Sequence, residues 1–396
     1  MSLKLLTLML CVFGITTGEF VIAGILPDVA GDLDVSIPAA GLLVTAYAIG
    51  MIIGGPVLTA LTARYPRKPL IVGLLVIVVV GNLASAFAPV YSVLFVARIV
   101  TALVTATFFA NAIVIAASTA PEGKQASTVS KLVFGMNLSM MLGAPLGTFI
   151  GNHFGWRATF GTVAAVCVLG LLMVLPFVPD VAASTSGSSA VTELRVFRSR
   201  NVQLAIAVTA IANMGLLMVF TYFAPLLTTL TGFAEGAVPL LLLAYGVGAA
   251  VGNFAGGWLS DRSPMAAQVG LLGLLTAGLL AMWAVSGSTV LTAVMVFLIG
   301  ALGFSVIPGM QARVLSTASS APTLAIAVNA SGYQLAAALA GWLGGRVVAG
   351  PGLRTVYVAA AAVTVLGILL SYYSWHRDRA SAGSATEEKT AEASPA

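Results

Sequence analysis

About twelve apolar runs, each near twenty residues long and parted by short polar breaks, fill nearly the whole chain: 5–25, 39–61, 69–88, 92–115, 127–150, 158–178, 202–226, 237–258, 265–286, 289–311, 323–346 and 354–375. A helix crossing the roughly 30 Å hydrocarbon core of a bilayer needs about 20 such residues. The runs are long and continuous rather than short and alternating, which excludes a β-barrel. The pattern therefore predicts an all-α polytopic membrane protein with twelve transmembrane helices.

Segment 179–200 interrupts the pattern with a Ser/Ala/Gly-rich stretch followed by a short basic amphipathic piece, and residues after Trp375 turn polar. The expected organisation is an N-terminal six-helix half at 1–178, a cytoplasmic linker at 179–200, a C-terminal six-helix half at 201–375 and a disordered tail at 376–396. The halves repeat. A shift of 198 places Ala46-Tyr47 on Ala244-Tyr245, Leu61-Thr62-Ala63-Arg64 on Leu259-Ser260-Asp261-Arg262, and Pro27 on Pro225; a shift of 197 places Gly135 on Gly332. Two parallel pseudo-symmetric six-helix halves imply a substrate cavity at the midplane between them.

Composition agrees, with 59% hydrophobic and 8% charged residues and a mean hydropathy of +1.04. The basic balance has a topological cause. If the N-terminus is cytoplasmic, all but four of the eighteen Lys and Arg fall in cytoplasmic segments, the exceptions being Arg98, Arg157, Arg346 and Arg354. This asymmetry places both termini in the cytoplasm and leaves no reason to invoke nucleic acid. Cys11 and Cys167 lie inside helices and the two histidines at helix ends, so neither a disulfide framework, a metal site nor a cofactor is implied. The absence of a G-x-x-x-x-G-K-[ST] loop argues against ATP drive. Leu8-Met9-Leu10-Cys11 is a poor lipidation box, because bulky Leu10 precedes the cysteine.

One residue violates the apolar pattern. Glu19 lies within the first run, where a charge costs roughly 2.5–3.5 kcal/mol on insertion scales and usually marks a functional, water-facing site. Arg98 in the fourth run lies at a similar depth, about 10 Å from the outer surface at 1.5 Å per residue, so the two can pair directly or through water. The repeat leaves both without a twin, since Glu19 maps to Leu217 and Arg98 to Val296. Pairing favours the ionised carboxylate and an apolar surrounding the protonated one, which suffices to couple a proton to alternating access. Tyr47, Asn111, Asn137, Asn213, Tyr222, Asn329, Tyr333 and Gln334 are polar or aromatic residues out of place in apolar helices and are candidate cavity lining. Apart from Glu19 and Arg98 that lining is neutral, which suits an uncharged or weakly charged substrate.

Three motifs carry a family resemblance. Thr59-Ala60-Leu61-Thr62-Ala63-Arg64-Tyr65-Pro66-Arg67-Lys68 is similar to the G-x-L-x-D-R-x-G-R-K loop of the major facilitator superfamily, although Ala63 replaces its acid; the second-half loop keeps Asp261 beside Arg262. Gly135 to Gly151 resembles the exporters' antiporter motif, with Gly143, Gly147 and Gly151 forming a smooth stripe and Pro145 a bend point. Arg98 matches an arginine that the family places in proton relay. From Leu5 to Trp375 the chain resembles the twelve-helix drug:proton antiporters, most nearly the actinobacterial chloramphenicol-resistance exporters and related sugar and nucleoside efflux proteins. The resemblance implies a monomeric, non-enzymatic exporter of the bacterial inner membrane, in contact with lipid, protons and a small-molecule substrate. In it Arg64, Arg67, Lys68, Asp261 and Arg262 serve gating, and Glu19 and Arg98 proton coupling. Chloramphenicol is the expected substrate, with sugar or purine nucleoside efflux as the alternative and a transport-inactive membrane receptor as the reading from another class.

Overall fold

The computed structural model describes residues 2–62, 64–122, 125–181, 200–262, 264–311 and 322–392. In the first half these form α1 (Leu3–Phe20), α2 (Ile22–Asp32), α3 (Ile37–Thr62), α4 (Arg67–Ala86), α5 (Tyr91–Ser118), α6 (Gln125–Leu138), α7 (Ala144–Phe154) and α8 (Trp156–Phe177). The second half contains α9 (Arg200–Thr221), α10 (Phe223–Pro225), α11 (Val238–Arg262), α12 (Pro264–Val285), α13 (Thr289–Ser305), α14 (Pro322–Ala349) and α15 (Thr355–Glu392). Among the described residues ten helices are long and apolar enough to cross a bilayer, or eleven when the pair Ile206–Thr221 and Phe223–Leu230, bent by 59°, counts as one span. Helix α14 covers the eleventh apolar run. The linker expected at 179–200 lies almost wholly outside the described residues.

Helix α15 differs from expectation, because it carries on to Glu392 where composition suggested a disordered tail. Residues 376–392 are rich in Ala, Glu, Lys and Arg and contain no proline, so most of the stretch consists of good helix formers, which low hydrophobicity alone does not reveal.

Buried hydroxyls are tolerated in these apolar helices because they bond back to the preceding turn. Thr7, Thr17, Thr101 and Thr105 each donate to the carbonyl four residues earlier, the usual solution for a threonine with no water nearby. Short connections set the remaining geometry. Gly155 takes φ +82° between α7 and α8, a conformation that costs a glycine little.

The repeat is visible in the packing. A Cβ added at Gly50 or Gly54 of α3 would strike the backbone of Ile99 or Leu103 on α5; at Gly248 or Gly252 of α11 it would strike Phe297 or Ala301 on α13. All four pairs are related by 198 residues. Likewise a Cβ at Gly135 would lie 3.1 Å from the Met9 carbonyl, and one at Gly332 would lie 3.1 Å from the Ile206 carbonyl, pairs related by 197 residues. Glycine at these positions lets helix backbones touch, which is how helices gain contact without a hydrophobic driving force in lipid.

Candidate functional site

The first span is broken where its charge lies. Helix α1 stops at Phe20, one residue after Glu19, and α2 resumes at Ile22 after Val21. A helix end presents carbonyls without amide partners and a partial negative charge. Arg98, fully buried on α5, supplies donors: Nη1 bonds the Gly18 carbonyl at 2.6 Å and Nη2 reaches the Glu19 carbonyl at 3.4 Å. Its guanidinium lies over the Tyr47 ring at 4.2 Å and within 5.8 Å of Phe160, contacts that favour a cation. Tyr47 is held in turn by Thr105, at 3.1 Å.

The direct form of the expected side-chain pair is not seen: among the described residues the only ion pair within 4 Å is Asp32–Arg157, and the hydrogen bonds of Arg98 to this segment go to the backbone carbonyls of Gly18 and Glu19. The carboxylate instead accepts a 3.1 Å hydrogen bond from Nε2 of Gln334, a residue of the other half, which also stands 3.0 Å from Met51 Sδ.

Glu19, Tyr47, Arg98, Thr221, Tyr333 and Gln334 provide the polar lining of a cavity between the halves, whose apolar lining includes Phe20, Ile22, Leu217 and Phe220. It encloses about 30 Å³, space for water but far below the roughly 300–1,000 Å³ of pockets that hold drug-sized ligands. The seal is aromatic and runs along the seam. Phe20 meets Phe220 edge-on at 5.8 Å, and Phe220 packs on Tyr245 at 5.4 Å. Further contacts close the seam toward the Asp32–Pro38 end: Thr45 Oγ1 donates to the Ala338 carbonyl at 2.9 Å, and Asn152 to that of Glu235 at 2.8 Å.

Of eight candidate lining residues, Tyr47, Tyr333 and Gln334 line the cavity. Asn111 is instead buried at the other end of α5, accepting from Arg67 at 2.9 Å and donating to the Thr107 carbonyl. Asn213 donates to the Thr209 carbonyl and faces Met310 Sδ at 3.3 Å, inside the second half. Tyr222 is fully buried, donates to the Gly341 carbonyl at 2.8 Å and fills the space left by Gly41 and Gly344. Sequence cannot separate these from true lining, because a polar group serves equally as glue between helices. Asn137 is exposed on α6, and the side chain of Asn329 lies outside the described residues. Phe20, Phe220 and Thr221 were not singled out; the signal available was adjacency to Glu19 for the first and a lone hydroxyl in an apolar run for the last.

The glycine stripe works against the broken span. A Cβ at Gly147 would lie 2.6 Å from Val21 Cγ2 and one at Gly151 2.7 Å from Ile25, while one at Gly143 would collide with Thr17. Both helices have a four-residue spacing here, so the fifth span presses on the first on either side of Glu19. A π-helical segment, Ser139–Gly143, precedes α7, and Pro145 starts that helix, placing a second break at the level of the first. In the loops, Arg67 bonds Asn111, Lys68 Nζ caps the Leu175 carbonyl at 2.7 Å, and Arg262 lies 3.4 Å over the Trp258 ring. Arg64 and Asp261 are exposed, and Ala63 lies outside the described residues.

At the far end Asp32, the last residue of α2, is engaged by two side chains. It accepts from Arg157 and from Trp156 Nε1, while Arg157 also bonds the Ala88 carbonyl at 2.9 Å. Those bonds hold its carboxyl below the usual aspartate range. A depressed folded value stabilises the protein above the unfolded value and loses that contribution as pH falls through the folded one. The pair is solvent-exposed and screened. Arg157→Gln is therefore expected to lower the thermal midpoint at pH 7 by no more than about 2 °C, a gap that narrows as unfolding is repeated at pH values below the usual aspartate range.

Residues 8–323 match the Major Facilitator Superfamily. The chain belongs to that superfamily. Within the Major Facilitator Superfamily it is 36% identical over 371 residues to the inner membrane transport protein YdhP of Escherichia coli K12, covering 93% of this chain and 95% of that one. It is 33% identical over 352 residues to a chloramphenicol resistance protein of Streptomyces lividans, covering 88% of each. The fold matches the crystal structure of a bacterial homologue of the human lysosomal transporter Spinster, with a TM-score of 0.74, 17% identity, and coverage of 94% of this chain and 96% of that one. As a major facilitator protein this chain is a multi-pass membrane transporter, not an enzyme.

Proposed function

We propose that this transporter exports a small neutral organic compound in exchange for protons, with chloramphenicol as the first substrate to test. The observation that carries the reading is the position of Glu19: the one carboxylate in the central lining, at a helix break, bonded across the seam between halves that must rock apart. A carboxylate there is the group a proton can load and unload as its surroundings change between open and closed. The substrate class rests on the relative named for chloramphenicol resistance and on a lining that offers aromatic faces, hydroxyls and an amide with no second acid. Basic residues gathered at the end that carries both termini support a cytoplasmic N- and C-terminus in a bacterial inner membrane. On that orientation the seam is sealed toward the outside.

Expression in a susceptible bacterium tests the assignment. A protein confirmed in the membrane should raise the inhibitory concentration of chloramphenicol several-fold, and a protonophore should remove the accompanying fall in cellular drug. Unchanged susceptibility with confirmed expression overturns the substrate and leaves the fold untouched.

A further inference from the structure

The amide of Gln334 is the side chain by which the second half touches the Glu19 carboxylate. Its Nε2 spans the seam at 3.1 Å, while its Oε1 is buried with no hydrogen-bond partner. A primary amide carries donors on one side and acceptors on the other. The donor side suits an ionised carboxylate; the unused acceptor suits a protonated one. The other groups facing Glu19 cannot play this part. Arg98 on α5 is committed to the carbonyls of α1, Tyr47 on α3 is bonded to Thr105 and belongs to the same half, and Tyr333 on α14 faces the carboxylate without a bond to it. Helix α9 contributes only Leu217, Phe220 and Thr221, none of them titratable.

We infer that Gln334 is a positioning residue that latches the halves together when Glu19 is ionised and the cavity is empty, so that the seam opens only after Glu19 is protonated or a substrate displaces the amide. The inference rests on the proton-coupling reading above but not on the identity of the substrate. A charge-assisted hydrogen bond is roughly twice as strong as a neutral one, and protonation removes that advantage. The latch keeps an empty, unprotonated carrier from reorienting and dissipating the gradient.

The test needs no substrate. Phe87, in the turn after α4, and Val290, at the start of α13, are 79% and 73% exposed, one in each half, at the end where the seam is sealed, and both native cysteines are buried. Nitroxides attached to Phe87→Cys and Val290→Cys report the separation of the halves by pulsed electron paramagnetic resonance between pH 5 and 9. In the otherwise native protein the shorter distance should gain population as pH rises. Gln334→Leu should abolish this pH dependence although Glu19 is intact. Gln334→Glu should reverse it, because two carboxylates at that distance repel once both are ionised. A native-like pH response in Gln334→Leu, an unreversed response in Gln334→Glu, or no response in the parent protein each overturns the latch. Failure of chloramphenicol transport with this pattern intact overturns only the substrate.

Discussion

Glutamine at position 19 is expected to abolish uphill export, with gradient-driven efflux in proteoliposomes falling at least about 100-fold, a threshold equivalent to roughly 2.7 kcal/mol. The side chain keeps its size and can still hydrogen-bond Gln334, so the fold, the helix break and the Arg98 hydrogen bonds, which go to the backbone carbonyls of residues 18 and 19, remain. What disappears is the group that can hold or release a proton at the seam. Downhill exchange of substrate, which needs rocking but no net proton movement, should survive in the same vesicles. Concentrative transport at the native rate by Glu19→Gln would show that the carboxylate serves packing and that the proton is carried elsewhere.

Replacing Arg98 by methionine should have a different signature, with loss of stability as well as transport. Methionine fills much of the same volume but leaves the Gly18 and Glu19 carbonyls at the end of α1 without their donor. A buried acceptor without a partner costs about 1–3 kcal/mol, and the stacked cation on Tyr47 contributes about 0.5–2 kcal/mol more. The thermal midpoint of the purified protein should fall by several degrees. Lysine should recover part of the loss, because one ammonium can reach the nearer carbonyl at Gly18 but cannot fork to the second while stacking on the ring. Wild-type stability in Arg98→Met would refute the capping role and return Arg98 to the part of a counter-ion for the carboxylate.

Most of the architecture was legible in the order of residues because lipid imposes a simple rule: every spanning segment must be apolar, about twenty residues long and helical. The repeat was legible because equivalent glycines, Gly50 with Gly248 and Gly135 with Gly332, make equivalent contacts in the two halves. Glu19 stood out by its cost. The lining was read less well. Asn111, Asn213 and Tyr222 carry the same polar atoms as Tyr333 and Gln334, yet they face neighbouring helices of the bundle. Helical periodicity tells which residues share a face, and in a helix surrounded by others it does not tell which neighbour that face meets.

By itself the chain determined its helical membrane character, its internal repeat, the asymmetry of its basic loops and the singular position of one carboxylate, because each follows from local hydrophobicity or from comparing the chain with itself. Only the tertiary structure decided what that carboxylate touches. Arg98, taken from sequence as its partner, hydrogen-bonds the Gly18 and Glu19 carbonyls beside the break between α1 and α2, while Gln334, 315 residues away, took the carboxylate. The reason is geometric. Which backbone carbonyls a buried arginine can reach is not announced by any residue code, and a contact across the seam exists only once the two halves are set against each other.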